Sequence, residues 1–144
     1  MEHALEEAKK AFDLGEVPVG AVIVKDEQII ARAHNLTETM RDPTAHAEIL
    51  AIRQAAEALG GWRLTGCSMY VTLEPCSMCA GALVWSRMDN LYIGAKDPKA
   101  GGCGSVLNIA NNEQLNHSVH IECGIMEEEC SEILKRFFRK LRNQ

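Results

Sequence analysis

The chain has 144 residues, 47% hydrophobic but only 5% aromatic, with 24% charged residues and a net charge of −5. That length predicts one domain with an aliphatic core, and the composition excludes a disordered chain. The longest apolar run, Val17 to Val24, falls far short of the roughly 20 residues a membrane-spanning helix needs.

No basic region followed by an apolar stretch opens the chain, so the cytoplasm is the expected location and no membrane partner is expected. The acidic balance argues against a nucleic-acid partner in general, but a net value leaves room for a local basic patch.

Glu2 to Leu14 places Leu5, Ala8 and Phe12 on one face and pairs Glu6 with Lys10 at i, i+4, which predicts an amphipathic helix stopped by Gly15. Val17 to Val24 is nearly all apolar and β-branched, as a strand buried on both faces should be. The turn-prone Lys25-Asp26-Glu27 hands it to a second strand, Gln28 to Ala33. Asn35 to Asp42 reads as polar and irregular. Pro43 then starts a helix over Ala45 to Leu59, with Ile49, Ile52, Ala56 and Leu59 inward and Gly60-Gly61 as the stop.

Ser68 to Leu73 is a third strand, followed by a short helix from about Cys76 to Ser86 that carries Met78, Ala82, Leu83 and Trp85. Leu91 to Ala95 is a fourth strand, and the glycine-rich Lys96 to Ser105 is a shaped loop. Val119, Ile121 and Cys123 alternate with polar residues as an edge strand does. Glu127 to Leu141 closes the chain as a helix with Ile133, Phe137 and Leu141 on one face. Strands alternating with helices predict a three-layer α/β/α sandwich around a mixed sheet.

Six cysteines in a chain without an export signal do not read as a disulfide framework. Cys67, Cys103, Cys123 and Cys130 are expected to be small buried hydrophobes. Cys76 and Cys79 differ. Their i, i+3 spacing at a helix start points both sulfurs one way, and the positive end of the helix dipole favours the thiolate that a metal requires.

His46, opening the preceding helix, is the natural third ligand, and no second C-x-x-C completes a closed four-ligand site. Glu48 lies two residues on, beside the open position. Three ligands and a spare carboxylate describe a zinc ion that activates water, with Glu48 moving the proton: hydrolysis at an electrophilic carbon. The plainer reading of Glu48, an acid complementing the helix dipole, stays open at this level.

His46-Ala47-Glu48 and Pro75-Cys76-Ser77-Met78-Cys79 resemble the signature of the zinc-dependent cytidine deaminase superfamily. Within it, Gly15 to Ala21, Asn35, Asp42 to Glu48, Tyr70 to Cys76, Gly94 to Asp97, Gly104-Ser105, Leu115 to His117 and Phe137 to Arg139 resemble the bacterial tRNA-specific adenosine deaminases over nearly the whole chain. Thr37 to Met40 departs from that pattern.

The resemblance implies a single deaminase domain over residues 1–144, with a five-stranded sheet wrapped by helices. It implies deamination of the wobble adenosine of a tRNA anticodon stem-loop to inosine, by a homodimer with one zinc ion per subunit. His46, Cys76 and Cys79 would hold the zinc, and Glu48 would shuttle the proton. Asn35, Asp97, Lys99, Asn116, Phe138 and Arg139 would contact the RNA.

The basic cluster Lys135, Arg136, Arg139, Lys140 and Arg142 fits RNA binding and equally fits a helix C-terminus. Small apolar residues, Ala80 to Ala82, mark an expected dimer face. A guanine, cytosine or nucleoside deaminase using the same zinc site, and a non-catalytic zinc-stabilised RNA-binding module, remain as alternatives.

Overall fold

An amphipathic helix, α1 (Glu2–Asp13), opens the chain and buries Ala4, Leu5, Ala8 and Ala11. The computed structural model describes all 144 residues. The expected Glu6–Lys10 pair does not form. Arg32 on the neighbouring strand takes Glu6 at 2.8 Å, and Lys10 turns to the buried Glu7 at 2.7 Å. A partner from the sheet outcompetes the i, i+4 neighbour because it is already fixed in place.

Strand β1 (Gly20–Lys25) starts later than the apolar run, since Pro18 has no N–H to give a ladder and Val19 N–H turns back to the Val17 carbonyl at 2.8 Å. Asp26 and Glu27, both at positive φ, make the two-residue turn into β2 (Gln28–His34). A short helix, α2 (Thr37–Met40), occupies the stretch read as irregular.

Helix α3 (Ala47–Leu59) begins later than Pro43 predicts. The Asp42 carboxylate accepts the Thr44 N–H at 2.8 Å and hydroxyl at 2.6 Å, and that local turn displaces the helix start. Its inward face is centred on the buried Ala47, Ala51 and Ala55; Ile52 and Ala56 pack against the core beside them as expected, whereas Leu59 is exposed.

Strand β3 (Ser68–Leu73) runs into α4 (Ser77–Trp85), which returns to β4 (Asn90–Ala95). A long connection leads to β5 (His120–Cys123) and then α5 (Glu127–Arg142). The five strands lie in the order β2-β1-β3-β4-β5, with β1 antiparallel to both neighbours and β3, β4 and β5 parallel. The expected mixed five-stranded sheet and the edge strand are both present. Cys67, Cys103 and Cys130 are buried as anticipated, but Cys123 is exposed at that edge.

Helices α3 and α4 cover one face, where Ala51, Ala55, Ala80 and Leu83 pack with Ile23, Met69, Val71, Leu91 and Ile93. Burying each such large aliphatic side chain contributes about 1.5–3 kcal/mol. Ala80 is therefore core and not surface, and Trp85 at the end of α4 is 72% exposed. Helices α1 and α5 cover the other face through Leu5, Ala8, Ala95, Cys130 and Ile133.

Two glycines set that closeness. A Cβ on Gly20 would lie 2.0 Å from the Ala4 carbonyl oxygen, and one on Gly94 would lie 2.3 Å from the Cys130 sulfur. The carboxyl end of β3 is thus left open between α3 and α4 below and α5 above. Sites in such sheets form at that end.

Candidate active site

His46 and Cys76 are the N-cap residues of α3 and α4, both with extended backbone, and Cys79 is one turn into α4. Neither side chain caps its own helix, and the two face each other. His46 Nδ1 lies 3.6 Å from Cys76 Sγ and 3.5 Å from Cys79 Sγ. Tetrahedral zinc with ordinary Zn–N and Zn–S lengths puts such atoms about 3.5 Å apart, so the donor set fits that metal. The three form the one group of metal-ligating side chains of this kind, all within 4.8 Å.

Neither Cys67 nor Cys103 joins it. The Cys103 thiol points at the Pro75 carbonyl 3.9 Å away. The fourth position therefore belongs to no protein side chain, as a site that handles water requires.

Asn35 supplies the cap that His46 does not. Its Oδ1 accepts the Ala47 N–H at 2.8 Å, which ties the loop after β2 to the start of α3. Glu48, in the first turn of α3, is 4% exposed. Burial pushes its carboxyl up to about 7, where it exchanges protons readily near neutrality.

Hydrogen bonds from the Cys79 thiol and from His46 hold Cys76 down at about 3, as a thiolate. Cys79, donor to that thiolate and deeply buried, is pushed far up, and its hydrogen bond with Cys76 raises His46.

His46, Glu48 and Cys76 line a cavity of about 720 Å³, with Asn35, Asp97 and Phe137 in its walls. A second hollow of about 1020 Å³ adjoins it through the shared Val17, Leu73, Asp97, Ala100 and Leu141. Lys99, Lys135, Phe138, Arg139 and Arg142 line that hollow. The structure thus gathers Asn35, Asp97, Lys99, Phe138 and Arg139 around one continuous space. Asn116 lies in the exposed loop before β5 and lines neither hollow.

Asp97 also has a structural task. Its Oδ1 accepts the N–H groups of Lys99 at 3.0 Å and Ala100 at 3.2 Å, so the carboxylate braces its own loop. The basic cluster of α5 divides. Lys135, Arg139 and Arg142 face the hollow, whereas Arg136 and Lys140 each sit 5.4 Å from the Phe12 ring.

Sequence reasoning missed Glu16, Thr37 and Glu38, which line the cavity. Glu16 is 2% exposed. It accepts the N–H groups of Glu38 at 3.1 Å and Thr39 at 2.6 Å, and the Thr39 hydroxyl at 2.6 Å. It thereby anchors α2 at the cavity mouth. An acidic residue immediately before an apolar run was the available signal.

The chain matches the MafB19-like deaminase family over residues 1–142. It is 53% identical over 144 residues to the tRNA-specific adenosine deaminase of Bacillus subtilis (strain 168), covering 100% of this chain and 89% of that one. To the tRNA-specific adenosine deaminase of Aquifex aeolicus (strain VF5) it is 55% identical over 140 residues, covering 97% and 92%. A solved structure from studies of A-to-I editing by tRNA deaminases at the wobble position of transfer RNA superposes with a TM-score of 0.90. The identity there is 48%, over 93% of this chain and 97% of that one.

Proposed function

The chain belongs to the family of tRNA-specific adenosine deaminases, among the MafB19-like deaminases, and we propose that it converts adenosine to inosine at the wobble position of a tRNA anticodon. The observation that carries the reading is a buried carboxylate, Glu48, beside a three-ligand metal group that leaves one position free.

His46, Cys76 and Cys79 would hold one zinc ion per subunit, which would supply the acidity that lets a water lose its proton near neutral pH. Glu48 accepts that proton as the water oxygen bonds to C6 of adenine. It delivers the proton to the ring nitrogen, then takes the remaining hydroxyl proton and passes it to the amino group, which leaves as ammonia as C6 becomes a carbonyl. Water is consumed, inosine and ammonia leave, and Glu48 ends as it began. Asn35, fixed by its bond to Ala47, stands at the cavity wall to hold the target nucleotide.

The anticodon stem-loop lies along the second hollow. Lys99, Lys135, Arg139 and Arg142 meet phosphates there, and the 43%-exposed Phe138 offers a ring for a base to stack on. An anticodon loop suits a site that needs its base out of the stack.

Residues 1–144 act as one deaminase domain, and the enzyme works in the cytoplasm; no helix is long and apolar enough to cross a membrane. Two copies associate through the outward side of α4, where Trp85 stands exposed. The exposed Val106 and Leu107 follow Gly102, which packs against Cys76 and Ser77 at the start of that helix. A dimeric mass in solution at micromolar concentration is expected.

Incubation of zinc-loaded protein with a stem-loop carrying adenosine at the wobble position should yield inosine. Ammonia released from guanine or cytosine, with no inosine from the RNA, would select a free-base deaminase instead.

A further inference from the structure

We propose that Glu74 is a positioning residue for the RNA, locking the Asp97 to Ser105 loop onto the turn that carries Cys76. The inference rests on the reading of the second hollow as the RNA site. Glu74 follows the last residue of β3, is 3% exposed, and stands two residues before a metal ligand.

All of its capacity goes to one loop. Oε1 accepts the Asp97 N–H at 3.1 Å and the Ser105 hydroxyl. Oε2 accepts the N–H groups of Cys103 and Ser105, both at 3.1 Å. Four donors on two oxygens leave nothing to offer a substrate, although the residue borders the cavity. Its place is between the reaction and the binding surface.

The backbone repeats the connection. Glu74 N–H donates to the Ala95 carbonyl at 2.8 Å, and Gly102 N–H donates to the Pro75 carbonyl at 2.8 Å. Gly101 bridges to Cys76, and a Cβ there would lie 2.3 Å from Glu74 Oε2 and 2.6 Å from the Asp97 carbonyl oxygen. Only glycine lets the loop close over the carboxylate. The loop so held carries Asp97, Lys99 and Ala100 along the hollow that adjoins the metal group. The Lys99 charge is thereby placed relative to Cys76 by one buried anion.

Glu74→Gln keeps the shape but turns one oxygen into an N–H donor facing donors, so the contacts of at least one side are lost. Amide hydrogen exchange at residues 97, 103 and 105 should accelerate in the variant while β1 and α3 keep their protection. KM for the wobble-adenosine stem-loop should rise about tenfold, as loss of charge-assisted hydrogen bonds predicts. Meanwhile kcat should stay within about threefold, and zinc content should not change.

Ser105→Ala, which removes a single hydroxyl and threatens neither fold nor metal, should raise KM by about threefold. The double variant should be no worse than Glu74→Gln alone, because both act through one contact. Unchanged exchange at the three amides, an unchanged KM, additive effects, or kcat falling together with zinc content would each overturn the proposal. Failure of the unmodified protein to deaminate the stem-loop would sink the RNA reading instead. The exchange measurement would still decide the role of Glu74 as anchor.

Discussion

His46 and Cys76 stand at the starts of α3 and α4, helices that press Ala51, Ala55, Ala80 and Leu83 against the sheet. Phe138 and Arg139, in contrast, ride on the wet side of α5. The cavity floor is placed by backbone, with almost no side-chain freedom between the sheet and the metal group. The outer wall is placed by long side chains in water and by a loop held through Glu74. The floor can therefore meet the sub-ångström demands of metal geometry, while the wall supplies charge and stacking to a large, adaptable substrate. Damage to the floor should destroy the reaction, and damage to the wall should only weaken the grip.

The largest effect is expected from the metal group. Cys79→Ser, or prolonged chelation of the intact protein, should remove both bound zinc and all inosine formation. Added zinc should restore only the chelated sample, as metal analysis and the inosine assay would read together. Next comes Glu48→Ala, which should lower kcat by about a thousandfold, the scale of a lost general acid–base, while zinc stays bound. Deamination unchanged in that variant would remove Glu48 from the mechanism.

On the wall, Lys135→Ala with Arg139→Ala should weaken stem-loop binding about tenfold and flatten its salt dependence by roughly two phosphate contacts, with kcat preserved at saturation. Arg136→Ala, over Phe12, should leave binding nearly intact. Equal losses from both sides of α5 would erase the distinction between them.

The smallest effect concerns acid. Burial alone would raise the carboxyls of Glu16 and Glu74. Hydrogen bonds from Thr39 and Glu38 to the first, and from Ser105, Asp97 and Cys103 to the second, bring both below their usual range. A depressed folded-state value stabilises the protein above the unfolded carboxylate pKa of about 4.3 and is lost as pH falls through the folded values. The contribution of these two carboxylates to the denaturant midpoint should therefore be complete above about pH 5 and fall away below about pH 4. Glu16→Gln should flatten that drop.

The strands, four of the five helices and the pairing of Cys76 with Cys79 were legible because each depends on spacing within a few residues. Helix α2 was not, since Glu16, more than twenty positions upstream, supplies the acceptor its first N–H groups need. The centre of the inward face of α3 was misread because large aliphatics outrank alanine in any hydrophobic count. Where α3 lies closest to the sheet, Ala47, Ala51 and Ala55 are fully buried, and the larger Leu50 and Ile52 pack at the flanks. Asn116 and the division of the α5 cations were likewise beyond reach, since exposure and facing depend on which helix lies opposite.

Local geometry let the sequence determine the chemistry by itself. Two cysteines one turn apart, and a histidine two residues from a glutamate, state their relative directions through the pitch of a helix. Only the tertiary structure decided that His46 meets Cys76 and Cys79 at 3.5–3.6 Å, and that two buried carboxylates, Glu16 and Glu74, hold the loops around them. Those distances come from the order of strands in the sheet and the close seating of helices upon it, which bring together residues tens of positions apart.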